Sequence, residues 1–420
     1  MEIRGLEMRA MLRQLVCLGM VAAASYAVGQ STAAAHEGDE IAAQIPARMK
    51  HFADTKTVAG AVTLVARDNH VIEFDAEGMA DIEAGRPMSK DTIFQIMSMT
   101  KPVTAIGIMM LAEEGKLALR DPVEMYLPEF KDQKVAANNG PDNARLSVPE
   151  HVITIRDLMT HTAGVTDEPP ADIRDYQHAM NVPLDEVVRQ IAKQKLLFQP
   201  GTAWSYTSGG IEVLGRIIEV VSGQKYEDFI AGRILKPLKM KDSFFYPNKQ
   251  APEQVKRIAM VYVMQDGKLA PASRGILGGD PATHRAGSVF PAPGWGLYST
   301  AEDLLHLYEM MLNGGVYEGH RYLSEFSVHL MTEPHTSKIR PVGWMRGADY
   351  GLAWEVVTEP LGELAGHAIG SYGHGGAFGT QGWIDPKNKL ISIMLIQKAD
   401  GDTDSMSSAF MTMAEASVER

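Results

Sequence analysis

Cysteine is nearly absent: the 420-residue chain has one, Cys17, and it lies in an N-terminal apolar stretch. Arg4, Arg9 and Arg13 precede an apolar run from Leu15 to Ala27, and small residues follow from Ser31 to Ala35. That order is the three-part pattern of a secretory signal peptide. Residues 1–35 are therefore expected to be removed, with cleavage after Ala35 preferred to cleavage after Ala27. The apolar run is short for a membrane span, which needs about 20 residues. Val16, before Cys17, is not the small residue that a lipid-anchored signal carries there. The mature chain then has no cysteine, so disulfides, thiol catalysis and cysteine-based zinc sites drop out together. Its expected place is the periplasm or the medium, with no stable membrane insertion.

Runs of lysine or arginine are also missing, and the formal net charge is −12. Losing the leader, with three arginines against Glu2 and Glu7, makes the chain one charge more acidic. Such a surface is a poor partner for nucleic acid or anionic membranes. The partner expected is a small-molecule ester or amide substrate, and the oligomeric state is left open. No His-Glu-x-x-His or other compact ligand spacing occurs, so neither metal nor cofactor is required. No Gly-x-Ser-x-Gly occurs, which removes the nucleophile elbow of α/β-hydrolases. Repeats and low-complexity tracts are absent as well.

What remains has ordinary globular composition, 45% apolar and 22% charged. An amphipathic segment from Ile41 to Phe52 comes first. Strand-like runs Gly60–Arg67 and His70–Gly78 flank Asp68-Asn69, a tight-turn pair, and predict a hairpin. Thr154 with Asp157, and Thr300 with Asp303, are N-terminal helix signals. Ile211, Leu214, Ile218 and Val221 make one helical face that Gly223 ends. From Asp266 to Gly296 the chain is dense in glycine and proline, and such a long loop is expected to wall a site. Strands are predicted again at Tyr350–Val357, Gly379–Ile384 and Leu390–Gln397, then a closing helix from about Ser405 to Val418. Strands at both ends with helices between give an α+β class: an antiparallel sheet built from both chain ends, flanked by helices, with an inserted, mostly helical subdomain. The expected division is an α/β part at about 36–115 and 297–420 and a helical part at about 116–296, with the pocket where they meet.

Three short stretches carry candidate chemistry. Ser98-Met99-Thr100-Lys101 puts a hydroxyl and an amine three residues apart, hence on one helix face, and so pairs a nucleophile with a base. The spacing is common by chance, and Ser222-Gly223-Gln224-Lys225 repeats it. Ser98, however, opens the apolar run Pro102–Leu111, which reads as a buried helix, whereas Ser222 sits at a helix stop. A lysine partly removed from water beside Ser98 tends toward its basic form. Trp204-Ser205-Tyr206-Thr207-Ser208 places a phenol and a hydroxyl on one side of an extended or turning segment, where Tyr206 can exchange protons. Gly373-His374-Gly375-Gly376-Ala377 leads into a strand; its glycines admit close backbone approach, and the Ala377 N–H suits an oxyanion hole. His161 reads mainly as a structural residue of a short helix and turn under the pocket.

Taken together, Ser-x-x-Lys after an N-terminal hairpin, Tyr-x-Ser about a hundred residues on, and His-x-Gly before a late strand resemble the serine β-lactamase and penicillin-binding-protein superfamily. Within it they are most similar to the branch of class C β-lactamases, D-Ala-D-Ala carboxypeptidases and family VIII carboxylesterases. Ile155–Gly164, Pro200-Gly201-Thr202 and Gly296–Ala301 share the likeness, which runs over roughly residues 40 to 415. The resemblance implies Ser98 as acylated nucleophile, Lys101 as its base and Tyr206 as proton carrier. It also implies the Ser98 and Ala377 N–H groups as oxyanion hole, with Gly375 and Gly376 beside them. His374 stands where β-lactamases have the lysine of Lys-Thr-Gly, and Ser208 where they have the asparagine of Tyr-x-Asn. Both departures weaken a grip on carboxylate and direct the expectation to a carboxylesterase on small to medium acyl esters. A β-lactamase or D-peptidase, and a penicillin-binding sensor that does not turn over, are the alternatives.

Overall fold

The computed structural model describes residues 38–136, 146–166, 181–273, 281–341, 346–400 and 403–418; the expected signal peptide lies outside them. Helix α1 (Ile45–Asp54) buries Ile45, Met49 and Phe52. The predicted hairpin follows as β1 (Gly60–Arg67) and β2 (His70–Asp81), with Asp68 and Asn69 both at positive φ, as a tight hairpin turn requires. A short β3 (Arg86–Pro87) completes this edge. Then come α2 (Thr100–Glu113), α3 (Ile155–Met159), α4 (Leu184–Ala192), α5 (Gly209–Ser222) and α6 (Tyr226–Ile230). The chain returns through α7 (Ala301–Leu312), β4 (Ala348–Tyr350), β5 (Glu355–Val357), β6 (Tyr372–Gly375), β7 (Gln381–Asp385), β8 (Leu390–Leu395) and α8 (Asp404–Ala416).

The eight strands form one antiparallel sheet in the order β4-β5-β6-β7-β8-β1-β2-β3. Near its centre β1 pairs with β8, Val62 opposite Leu395 and Leu64 opposite Ile393. Alternate residues of β1 serve two cores, because side chains in a strand point to opposite faces. Val62, Leu64 and Ala66 join the large core of α2, α5 and α7. Ala61 and Val65 meet Met49 and Phe52 of α1 and Met406 and Phe410 of α8. This explains why β1 reads as an almost continuous apolar run, as strands covered on both faces do.

Local signals in the sequence account for three of the helix ends. Thr154 and Asp157 make a reciprocal capping box on α3, and Thr300 accepts from the Asp303 N–H at the start of α7. Gly223 ends α5 in the left-handed conformation. Every residue of α2 from Thr100 to Leu111 is buried. Each aliphatic side chain placed there contributes about 1.5–3 kcal/mol relative to exposure, so the helix that carries the site is anchored by packing along its whole length.

Two segments differ from the pattern. The run Tyr350–Val357 is not one strand: it folds back between β4 and β5, with Ala353 at positive φ. The glycine-rich stretch around His374 is itself a strand, β6, in the middle of this half of the sheet. A Cβ on Gly373 would stand 2.3 Å from the Gly382 oxygen and 2.6 Å from the Trp383 ring. Steric need for glycine overrides poor strand propensity here.

Candidate active site

Ser98 lies in a 3-10 turn, Met97–Met99, immediately before α2, with Met97 held at positive φ. Lys101 is the second residue of α2 and is fully buried. Its Nζ is 3.0 Å from Ser98 Oγ, 3.2 Å from Ser208 Oγ and 2.9 Å from the Gly294 carbonyl oxygen. It also stands 4.6 Å from the centre of the Tyr206 ring. One helix start therefore places hydroxyl and amine, a short strand at Ala203–Trp204 delivers Tyr206 and Ser208, and the loop before α7 supplies a carbonyl.

The Gly294 carbonyl is held by packing. Pro293 fills the space left by Gly215 on α5, where a Cβ would lie 2.3 Å from Pro293 Cγ. The Pro293 oxygen accepts from Thr104 Oγ1 at 2.7 Å, and Thr104 stands three residues after Lys101 on the same face of α2. Arg285, buried and stripped of water, spans the same loop by donating to the carbonyls of Phe245, Phe290 and Gly296. Of the Asp266–Gly296 segment, expected to wall the site, Gly294 reaches Lys101 through its carbonyl while the residues lining the pocket come from elsewhere; part of the segment lies outside the described residues.

On the opposite side, Gly375, Gly376 and Ala377 line the same pocket as Ser98. Gly376 has no room for a side chain: a Cβ would stand 2.1 Å from Thr380 Oγ1 and 2.4 Å from the Ile96 oxygen. The Gly376 N–H goes to Thr380 O at 2.7 Å. Among the described residues the Ala377 N–H finds no acceptor. The pocket has a volume of about 450 Å³, and Trp204, Tyr206, Tyr350 and Trp383 give it aromatic walls on part of its lining. Its charged groups are Glu355, Asp404 and Arg346, and Arg346 is exposed at the rim.

His374 is buried, with Nδ1 2.6 Å from the Gly375 oxygen and Nε2 2.8 Å from the Tyr350 hydroxyl. A carbonyl only accepts, so Nδ1 carries the hydrogen and Nε2 accepts from the phenol. Burial first, then the nearby Lys101 charge, lower its pKa to about 3. The imidazole is therefore neutral, and both nitrogens are engaged by protein. Tyr350 lies in the segment Trp344–Trp354, expected from the sequence to shape acyl selectivity, and lines the pocket. Trp204, Trp383 and the Gly294 carbonyl were not legible as individual site groups, two being aromatics indistinguishable from core and a backbone carbonyl leaving no trace in sequence. Among the described residues no cluster of three or more His, Cys, Asp or Glu is placed to hold a metal, and no helix is long and apolar enough to cross a membrane.

Comparison with known proteins adds to this geometry. The family model described as Beta-lactamase matches residues 45–411. The chain is 32% identical over 374 residues to Protein Rv1367c of Mycobacterium tuberculosis, covering 84% of this chain and 88% of that one. It is 28% identical over 402 residues to Esterase EstB of Burkholderia gladioli, covering 88% and 93%. Among solved structures, "EstCE1, a hydrolase with promiscuous acyltransferase activity" superposes with a TM-score of 0.74 at 24% identity, covering 90% of this chain and 99% of that one, which bears on fold alone. With a family model spanning the sheet, α2 and the strand of His374, the chain belongs to the β-lactamase family and is a hydrolase of that family.

Proposed function

We propose that the protein is a serine carboxylesterase that acts outside the cytoplasm on neutral, small to medium acyl esters through an acyl-Ser98 intermediate. The observation that carries this reading is the engagement of His374: with Nδ1–H on the Gly375 carbonyl and Nε2 on the Tyr350 phenol, the ring has no hydrogen to offer a substrate carboxylate. Around the pocket, Glu355 and Asp404 outnumber the exposed Arg346, which further disfavours anionic substrates. The aromatic walls suit an apolar acyl group. The arginine-led, apolar and then small-residue N-terminus supports export.

In the reaction, Ser98 Oγ attacks the ester carbonyl while Lys101, as the amine, takes its proton across the 3.0 Å contact. The Gly294 carbonyl can only accept, so it takes one N–H of Lys101 and orients the amine. The Ser98 and Ala377 N–H groups stabilise the oxyanion. The tetrahedral intermediate expels the alcohol, which gains a proton through Tyr206, and acyl-Ser98 forms. Water then adds to the acyl carbonyl, gives up its proton to the same Lys101–Tyr206 pair, and releases the acid and free Ser98.

The test is turnover of p-nitrophenyl acetate and butyrate beside a chromogenic cephalosporin, with wild type and Ser98→Ala. Ester turnover that falls a hundredfold or more in Ser98→Ala, with little cephalosporin cleavage, is expected. Dominant cephalosporin cleavage, a single burst without turnover, or full ester activity in Ser98→Ala would each overturn the proposal.

A further inference from the structure

We infer that His161 is a positioning residue for Tyr206, a clamp that holds the phenol's strand from both sides. The inference rests on the proton-carrying role of Tyr206 given above. His161 follows α3 and is itself strained, at φ 57°, a left-handed conformation that costs most L residues about 1 kcal/mol or more. It is also almost fully buried. Strain held inside a core needs compensating contacts: His161 bonds back through its N–H to the Leu158 carbonyl, and it makes two further bonds to the neighbours of Tyr206. Its carbonyl accepts from the Ser205 N–H at 3.0 Å, and its Nδ1 accepts from the Thr207 N–H at 3.4 Å. Those amides precede and follow Tyr206, so the two bonds fix the backbone on either side of the phenol.

The ring completes the arrangement. Its centroid lies 4.8 Å from that of Tyr206 and 4.7 Å from that of Tyr350. His161 therefore fills the wedge between the phenol assigned to proton transfer and the phenol that fixes His374. Because Nδ1 accepts an amide hydrogen, the imidazole is the neutral tautomer with hydrogen on Nε2; burial, followed by the Lys101 charge, keeps its pKa well below the usual histidine value. A neutral, uncharged wedge suits a site whose base is an amine, since an imidazolium there would repel the charge Lys101 acquires. The rungs next to it extend the same ladder: Thr162 O accepts from the Gly201 N–H, and Gly164 O from the Leu197 N–H.

Two substitutions separate the acceptor from the rest of the ring. Asparagine and glycine both tolerate left-handed backbone and both lose the imidazole, but the carboxamide oxygen of His161→Asn occupies the place of Nδ1. Steady-state ester kinetics would be measured for both, in wild-type and Tyr206→Phe backgrounds, with thermal unfolding confirming folded protein. His161→Asn is expected to retain kcat within a few-fold, and His161→Gly to lose at least tenfold in kcat, with KM changed less than twofold in both. In the Tyr206→Phe background the two variants should be alike, because the clamped group is gone. Equal kcat for Asn and Gly, or an Asn–Gly gap that persists undiminished without the Tyr206 hydroxyl, would overturn the inference. If His161→Gly does not fold, a loss of kcat tenfold or more in His161→Asn would overturn it, and retained kcat there would support it. Failure of the underlying reading is recognised separately, as ester turnover that survives Ser98→Ala.

Discussion

The Tyr350 hydroxyl meets Nε2 of His374 at 2.8 Å, and both groups are buried. Tyr350→Phe removes the only hydrogen offered to that nitrogen by the phenol while keeping the ring. A buried acceptor left without a donor costs about 1–3 kcal/mol. Denaturant unfolding of Tyr350→Phe is expected to show a loss of that size, with the slope unchanged.

Lys101→Arg preserves a positive charge but not a base, since a guanidinium does not give up its proton in proteins. The buried amine site also has no room prepared for a fork of five donors. Ester turnover in Lys101→Arg is expected to fall by at least about a thousandfold, on the scale seen when a member of a catalytic unit is lost. Single-turnover assays should place the loss in formation of acyl-Ser98.

Gly215→Ala tests whether packing on α5 sets the Gly294 carbonyl. In an open helix alanine is favoured over glycine by about 1 kcal/mol. Here the new methyl would collide with the Pro293 ring, at 2.3 Å from Cγ. The expected result is lower stability and lower kcat, measured by thermal unfolding and ester kinetics, although residue 215 touches no substrate.

Buried titratable groups give stability a pH dependence with two opposing parts. His374, with pKa about 3, and His367, about 4, are both lowered by burial. Their contribution is present above the unfolded value of 6.5 and is lost as pH falls through their folded values. Glu73, raised to about 7 by burial, acts the other way: its contribution is full below 4.5 and is lost as pH rises through 7. Unfolding midpoints measured from pH 4 to 8 should therefore fall less steeply toward acid in His367→Phe than in wild type. In Glu73→Gln they should fall less between pH 4.5 and 7.

Much of this arrangement is legible in the sequence. Asp68-Asn69 announced the hairpin, the Thr-x-x-Asp pairs announced α3 and α7, and Gly223 announced the end of α5, because each is a local conformational need met by a local residue. Ser98, Lys101, Tyr206, Ser208 and the Gly375–Ala377 stretch were legible as candidates, and the structure gathers them around one pocket. What stayed hidden depends on contacts between distant segments. Strand β6 violates strand propensity because Trp383 and Gly382 crowd it. Tyr350 gains its part only by facing His374, and Gly294 gains its part through a carbonyl that any residue would have carried. Local rules cannot register such long-range needs.

The pairing of β1 with β8 has a consequence for biogenesis. The two strands come from opposite ends of the chain, so a ribosome-bound fragment that lacks β8 leaves one hydrogen-bonding edge of β1 unpaired. Topologies dominated by such distant contacts fold slowly, because loop closure comes before its compensation. The Ser98 turn would thus be synthesised early yet lack the Gly375–Ala377 wall of its pocket until the last strands emerge.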